Sequence, residues 1–486
     1  MTNSDMEKTV GAPDGLARRV TQGGLWLTVG SGLEQASRLV RNMILARLLA
    51  PHMFGTMALV LAVYWFLESF TQIGLREAIV QNPRGEEKTF LNGVWFVSVA
   101  RALLLYLLGF IVAPAIATFY ETPQLAAMLR VAFLSILLLG LISPAAYVQV
   151  KRLGFKRWVL IDQVGGIVGV AVSIALAVVY RSTWVLVIGL VAEGFVKAAA
   201  SYVLCPFTPG LHFRRDDVLS LSSFVHGMLG LPVMTFVYMQ LHVFVLGRLV
   251  TAGELGIYMM ALTLARIPSL AMSKIVVPLL MPAYSEMQRD LDRMQHSLSQ
   301  LSRALAVAAV PAVSFVLLFG AEILATVYTP EYASAAMAFA LLFFAEILQN
   351  LSKPIAAASL ATGHPHLLRR VSAVRALLVA VLIYPASRTF GIEGAAAAVL
   401  LSMAITFVLY VRMLKVVSRM KMSNYWRSLA QPLWMALPLC ATWFIGYVLS
   451  VQNLGSRLIV ATLMLVITYA GAALQYIPRR DLTQLR

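Results

Sequence analysis

Apolar runs of about 20 residues recur along this chain from end to end, joined by short polar stretches. An α-helix of that length crosses the hydrocarbon of a bilayer. In lipid every backbone N–H and C=O must be satisfied internally, so only helices and closed barrels span it. A barrel would read as short alternating strands, and the sequence has no such pattern. Of 486 residues, 60% are hydrophobic and 13% charged, roughly half the charge of a soluble domain. The sequence therefore reads as an all-α polytopic membrane protein with about 14 transmembrane helices. The spans fall near 23–49, 53–76, 89–117, 124–150, 157–180, 183–204, 218–249, 254–284, 299–326, 333–361, 366–387, 391–416, 427–450 and 457–477.

The net charge of +17 is concentrated in alternate loops. One set holds Arg18 and Arg19, Arg84 and Lys88, Lys151 to Arg157, Arg214 and Arg215, Arg289 and Arg293, and Arg369 and Arg370. It continues with Arg412 to Arg427 and ends at Arg479, Arg480 and Arg486. The other set has little beyond Arg181, Arg388 and Arg457. Positive loops face the cytoplasm, which places both termini there and requires an even number of spans. Charge distributed this way is a topology signal and argues against nucleic acid as a partner. Residues 1–22 lack the apolar core of a secretory signal, so the first span is expected to be retained as an anchor. The two cysteines, Cys205 and Cys440, and the seven histidines offer no disulfide framework and no metal spacing, so no cofactor is expected.

The chain carries an internal repeat. Ala46-Arg47-Leu48-Leu49 with Phe54-Gly55 is echoed 201 positions later by Gly247-Arg248-Leu249-Val250 with Leu255-Gly256. A weaker echo links Pro144 with Pro354. The expected organisation is a cytoplasmic segment 1–22, an N-lobe of six helices over 23–204 and a C-lobe of six over 218–416. Two further helices over 427–477 and a cytoplasmic tail 478–486 complete it. Six being even, the lobes enter the membrane in the same direction, as in transporters built of parallel repeats, whose sites lie at the repeat interface. Prolines mark most spans, and Pro268, Pro278 and Pro282 cluster in the eighth. They read either as ordinary membrane-helix irregularity or as bending points for alternating access.

Charged side chains inside spans are costly and face protein or water. Glu34, Arg38 and Arg41 lie within about 60° of arc on the first helix. Further candidates are Glu68, Arg101, Asp162, Glu193, Lys197, His226, His242, Arg266, Lys274, Glu346, Lys353 and Arg375. His242 occupies the repeat position of Arg41. Glu34 with Arg38, and Glu193 with Lys197, are spaced four apart and also suit simple structural pairs. Arg47 and Arg248 suit the capping of outer helix ends, and Arg375 and Asp162 lie toward cytoplasmic ends. The residues singled out to bind substrate are Arg38, Arg41, Arg266, Lys274, His242 and Arg101, with Glu34 and Glu68 in a supporting or ion-coupling role. Arginine forks bind phosphate oxygens bidentately, so a basic cavity suits a lipid-linked pyrophosphate whose tail stays in the bilayer. No phosphate-binding glycine loop, nucleophile elbow or metal motif is present, and the chain is not expected to be an enzyme.

The run Ser37 to Pro51, with Phe54-Gly55, resembles the first helix of bacterial polysaccharide flippases. These are the Wzx-type, colanic-acid-exporter-like transporters of the multidrug/oligosaccharidyl-lipid/polysaccharide (MOP) superfamily. Ala265-Arg266-Ile267-Pro268 and Pro278 to Ser285 resemble its eighth helix. The resemblance covers essentially the whole chain. It implies flipping of undecaprenyl-pyrophosphate-linked oligosaccharide across the bacterial cytoplasmic (inner) membrane, for exopolysaccharide, capsule or O-antigen. It further implies membrane lipids and a polysaccharide polymerase complex as partners. Arg38 and Arg41 match cavity-facing arginines of lipid II flippase relatives, and Arg266 matches a basic position of helix eight. His242 departs from the pattern, which there has a fixed cation. Two rival readings are an ion-coupled multidrug antiporter using Glu34, Glu68 and Asp162, and a non-transporting scaffold for a synthesis complex.

Overall fold

The computed structural model describes residues 13–69, 75–210, 230–448 and 454–476. Helix is the only regular structure among them. The expected segment 1–22 and tail 478–486 lie wholly or mostly outside the described residues. Among the described residues seven helices are long and apolar enough to cross a membrane, eight if one bent pair is a single crossing. Large apolar side chains such as Ile111, Val179, Val203, Leu377 and Ile467 point outward, exposed, while charged residues such as Glu193, Lys197 and Glu346 are largely covered. That inversion of the soluble pattern is what a bilayer selects as solvent. The chain forms two compact units, Met1–Phe236 and Val237–Arg486.

In the first unit the helices are α1 (Pro13–Leu48), α2 (Pro51–Ser69), the short α3 (Leu75–Gln81) and α4 (Lys88–Phe119). They are followed by α5 (Gln124–Gly140), α6 (Ala145–Lys151), α7 (Phe155–Tyr180) and α8 (Trp184–Leu204). Ala50-Pro51 separates α1 from α2, since proline starts a helix more readily than it continues one. Arg47 closes α1 by donating to the Met43 carbonyl at 2.9 Å. Helices in lipid gain little from burying apolar surface, so close approach of small residues holds them together. α7 and α8 meet this way: a Cβ on Gly189 would fall on the Ser173 hydroxyl and 3.0 Å from the Gly169 carbonyl. α1 is joined to α7 where Gln163 Nε2 donates to the Gly30 carbonyl at 2.8 Å. The span expected as one helix over 124–150 is instead broken, with α5 and α6 meeting at 61°. Proline has no N–H to continue α5. The break is held by Ser143, whose N–H donates to Ser201 Oγ at 2.9 Å and whose hydroxyl donates to the Cys205 carbonyl at 2.7 Å.

The second unit contains α9 (Gly230–Leu249, from Val237 onward), α10 (Ala252–Ala265), α11 (Ile267–Ala271) and α12 (Val277–Glu286). A capping box between Thr251 and Glu254 starts α10, satisfying N–H groups that the first turn leaves free. The proline cluster divides the expected eighth span. Arg266 is a turn, Pro268 opens α11, a π-helical turn covers Met272–Val276, and Pro278 sits in the first turn of α12. α13 (Leu291–Val327) kinks at Phe319. α14 (Ala336–Ala361) accommodates Pro354 without a break. α15 (Pro365–Val417) covers the expected eleventh and twelfth spans, which meet at a kink where Gly391 takes φ +55°. α16 (Met422–Ala430), α17 (Leu437–Val448) and α18 (Leu454–Tyr476) follow. Glu322 of α13 pairs with Arg457 of α18 at 3.4 Å, and Tyr469 donates to the Ala308 carbonyl at 2.6 Å.

Candidate functional site

Each unit gathers several of its charged side chains into a cluster. In the first, α1 presents Glu34, Arg38 and Arg41. Arg38 Nε bonds Glu34 at 3.1 Å, and its Nη2 reaches Glu193 of α8 at 3.3 Å. Lys197, one turn further along α8, sits 2.9 Å from Glu193 and 2.6 Å from Asp162 of α7. The two pairs anticipated at four-residue spacing are thus parts of one chain of charges, Glu34–Arg38–Glu193–Lys197–Asp162, crossing three helices. Arg41 is different. Its Nε donates to Asn42 Oδ1 at 3.3 Å, and it has no carboxylate partner among the described residues.

Glu68 and Arg101 do not join that face. They line a cavity of about 320 Å³ with Asp162 and Lys197, walled by α2, α4, α5, α7 and α8 and by the α5–α6 break. Trp95, Tyr147 and Trp158 also line it. No residue-spacing signal singled out these aromatics. Only the break at Ser143-Pro144 folds Tyr147 back against Trp158, with ring centroids 5.2 Å apart.

In the second unit Arg266, His242, Glu346, Gln349 and Arg375 converge on one small pocket. Arg266 Nε lies 3.5 Å from Glu346 Oε1, whose other oxygen accepts from the Ser269 hydroxyl. Arg375 donates to Gln349 Oε1 at 3.2 Å and lies 4.2 Å over the Tyr238 ring, an arrangement that planar guanidinium favours. Its position toward a helix end suggested solvation, yet the fold turns it inward beside Arg266. Two arginines here face one carboxylate. Lys353 braces the broken helix, donating to the Ser269 carbonyl at 3.0 Å, Ser273 Oγ at 2.8 Å and Asn350 Oδ1 at 2.7 Å. His242 is 2% exposed, its ring nitrogens without hydrogen-bond partners among the described residues and its ring edge-to-face with Tyr258. Arg41, its repeat counterpart, is half-buried. Lys274 falls on the π-helical turn, and its side chain lies outside the described residues.

The architecture is that of helical multi-span transporters. The solved lipid II flippase MurJ, in an inward closed conformation, matches with a TM-score of 0.76 at 12% identity, over 93% of this chain and 100% of that one. An inward-facing MATE multidrug transporter of the MOP superfamily matches at 0.61 and 14% identity, over 82% and 96%. In sequence, the polysaccharide biosynthesis protein family matches residues 44–337, and the chain belongs to that family. The succinoglycan biosynthesis transport protein ExoT of Rhizobium meliloti is 28% identical over 61% of this chain and 60% of its own length. The lipopolysaccharide biosynthesis protein WzxC of Escherichia coli is 20% identical over 90% and 89%.

Proposed function

We propose that this chain flips undecaprenyl-pyrophosphate-linked oligosaccharide units across the cytoplasmic membrane for assembly of a surface polysaccharide. The observation that carries the reading is one intramembrane arginine in each unit, Arg41 and Arg375, whose guanidinium makes no direct ion pair with a carboxylate among the described residues. An arginine held in a bilayer without an anion is expensive, and a pyrophosphate supplies the missing anion in bidentate form. Arg266 and Arg38 contribute further charge at their clusters, with Lys274 and His242 as secondary members and Glu34 in support, while Arg101 and Glu68 stand apart in the α5–α6 cavity. Family membership and the transport or biosynthesis names of the relatives support the same substrate class. The loop charge asymmetry supports a cytoplasmic location for both termini. A polysaccharide polymerase is the partner that would consume the flipped unit.

The antiporter reading draws on one observation: Arg38 is already neutralised by Glu34 and Glu193. It leaves Arg41 and Arg375 without a direct ion pair among the described residues, and for that reason the flippase reading is preferred. The test is complementation of a deletion strain. Arg41→Gln and Arg375→Gln, inserted at wild-type levels, should abolish polymer export and leave the lipid-linked unit on the cytoplasmic leaflet. Undiminished export from both variants would refute the mechanism. Polymer production restored by transport-dead variants would instead indicate a scaffold.

A further inference from the structure

The cavity at the α5–α6 break adjoins the first charge cluster, sharing Asp162 and Lys197 with it, but its wall has a different chemistry. Glu68 and Asp162 supply carboxylates, and Arg101 and Lys197 supply cations. The wall is therefore formally neutral, which suits neither a bare cation nor a pyrophosphate. It is nonetheless rich in directional hydrogen-bonding groups. Asp162 accepts from Lys197 at 2.6 Å, and a carboxylate has about four acceptor sites, so capacity remains for hydroxyl donors. The aromatic lining is fixed in place: Trp95 Nε1 donates to the Tyr202 hydroxyl at 2.9 Å, and Trp158 packs on Tyr147.

We infer that this cavity is a saccharide subsite, holding the sugar nearest the pyrophosphate while Arg38 and Arg41 of α1 hold the charge. Carboxylates accepting hydroxyl hydrogens, a guanidinium and an ammonium donating to ring and hydroxyl oxygens, and flat aromatic faces for C–H surfaces are the groups an uncharged polyol needs. A volume of about 320 Å³ lies at the lower end of small-molecule pockets, roughly 300–1,000 Å³. Ile142 and Pro144, at the break itself, form part of the lining. The chain of charges Asp162–Lys197–Glu193–Arg38 connects this cavity to the α1 face, so one substrate can address both. The inference rests on the flippase reading.

The test uses the full chain in lipid nanodiscs and two probes. One is the lipid-linked saccharide that accumulates in cells lacking this chain; the other is undecaprenyl pyrophosphate without sugar. Wild type should bind the glycosylated lipid more tightly. Ser98→Leu, which adds bulk to the open space, and Trp158→Leu, which removes a ring face, should each weaken that lipid about fivefold or more. Both should leave undecaprenyl pyrophosphate unchanged. Thermal unfolding of each variant establishes that it is folded, and Ser98→Leu keeps the test decisive if Trp158→Leu is not. Full retention of the sugar preference by Ser98→Leu, or no preference in wild type that binds both lipids, overturns the subsite. Failure of wild type to bind either lipid, or no accumulating lipid-linked saccharide, overturns the flippase reading and the subsite with it.

Discussion

Lys197 lies between two carboxylates, Glu193 and Asp162, and is itself only 15% exposed in its side chain. Removing one member of such a set leaves uncompensated charge in a poorly solvated place. Lys197→Met should lower the stability of the detergent-purified protein by about 2 kcal/mol or more, read as a fall in thermal midpoint. Adding Glu193→Gln to that variant should recover part of the loss, because the two effects are coupled. The Glu193–Lys197 pair was legible from spacing, since residues four apart share a helix face. The Arg38–Glu193 contact was not, because 155 positions separate the two and no local rule joins them. A second residue pair lies outside the apolar spans. Arg152 reaches Glu86 at 3.1 Å through Nε, and that hydrogen bond, with the positive charges nearby, holds the Glu86 carboxyl below its usual range. A depressed carboxylate contributes above its unfolded pKa and is lost as pH falls through the folded one. Limited proteolysis of the 82–87 loop should therefore quicken under acid, below about pH 4, and Glu86→Gln should remove that dependence.

At the scale of elements, close packing and deliberate breaks do different jobs. α7 and α8 are held by contact at small residues, so Gly189→Ala has backbone and a hydroxyl in its way. It should cost about 1–3 kcal/mol, whereas Gly166→Ala on α7, with nothing within 4 Å of the added carbon, should be tolerated. Thermal midpoints of the two variants compare them directly. The π-helical turn Met272–Val276 depends on Lys353, which caps carbonyl and hydroxyl oxygens around it. Lys353→Met should raise amide hydrogen exchange across 267–276 with little effect on α13. The prolines announced irregularity in this stretch but not its form. Pro354 sits in a continuous helix while Pro144 stands at a 61° break. The difference lies in what the neighbours offer. Ser143 finds Ser201 and the Cys205 carbonyl on an adjacent helix, so backbone groups freed by the break remain satisfied.

For the whole molecule, the membrane imposes most of the constraints. A chain this apolar has to form helices about 20 residues long, and loop charge orients them. Under the proposed function, export should depend on the α15 arginine as strongly as on α1: Arg375→Lys, which keeps charge but loses the planar fork, should reduce it severalfold. Reconstituted flipping of a lipid-linked saccharide is the measurement, and wild-type rates in Arg375→Lys would show that geometry there is unimportant.

The sequence by itself determined the helical class, because bilayer thickness and hydropathy act locally along the chain, and its runs Ser37 to Pro51 and Pro278 to Ser285 carried the family resemblance. It also marked most of the charged residues, since charge within an apolar run stands out. Tertiary structure alone decided their grouping. Arg375 joins Arg266, Arg38 joins Glu193, and Tyr147 folds against Trp158 only because helices distant in sequence are packed side by side. Compensation of a buried charge is a property of its spatial neighbours, and no spacing along one helix reports it.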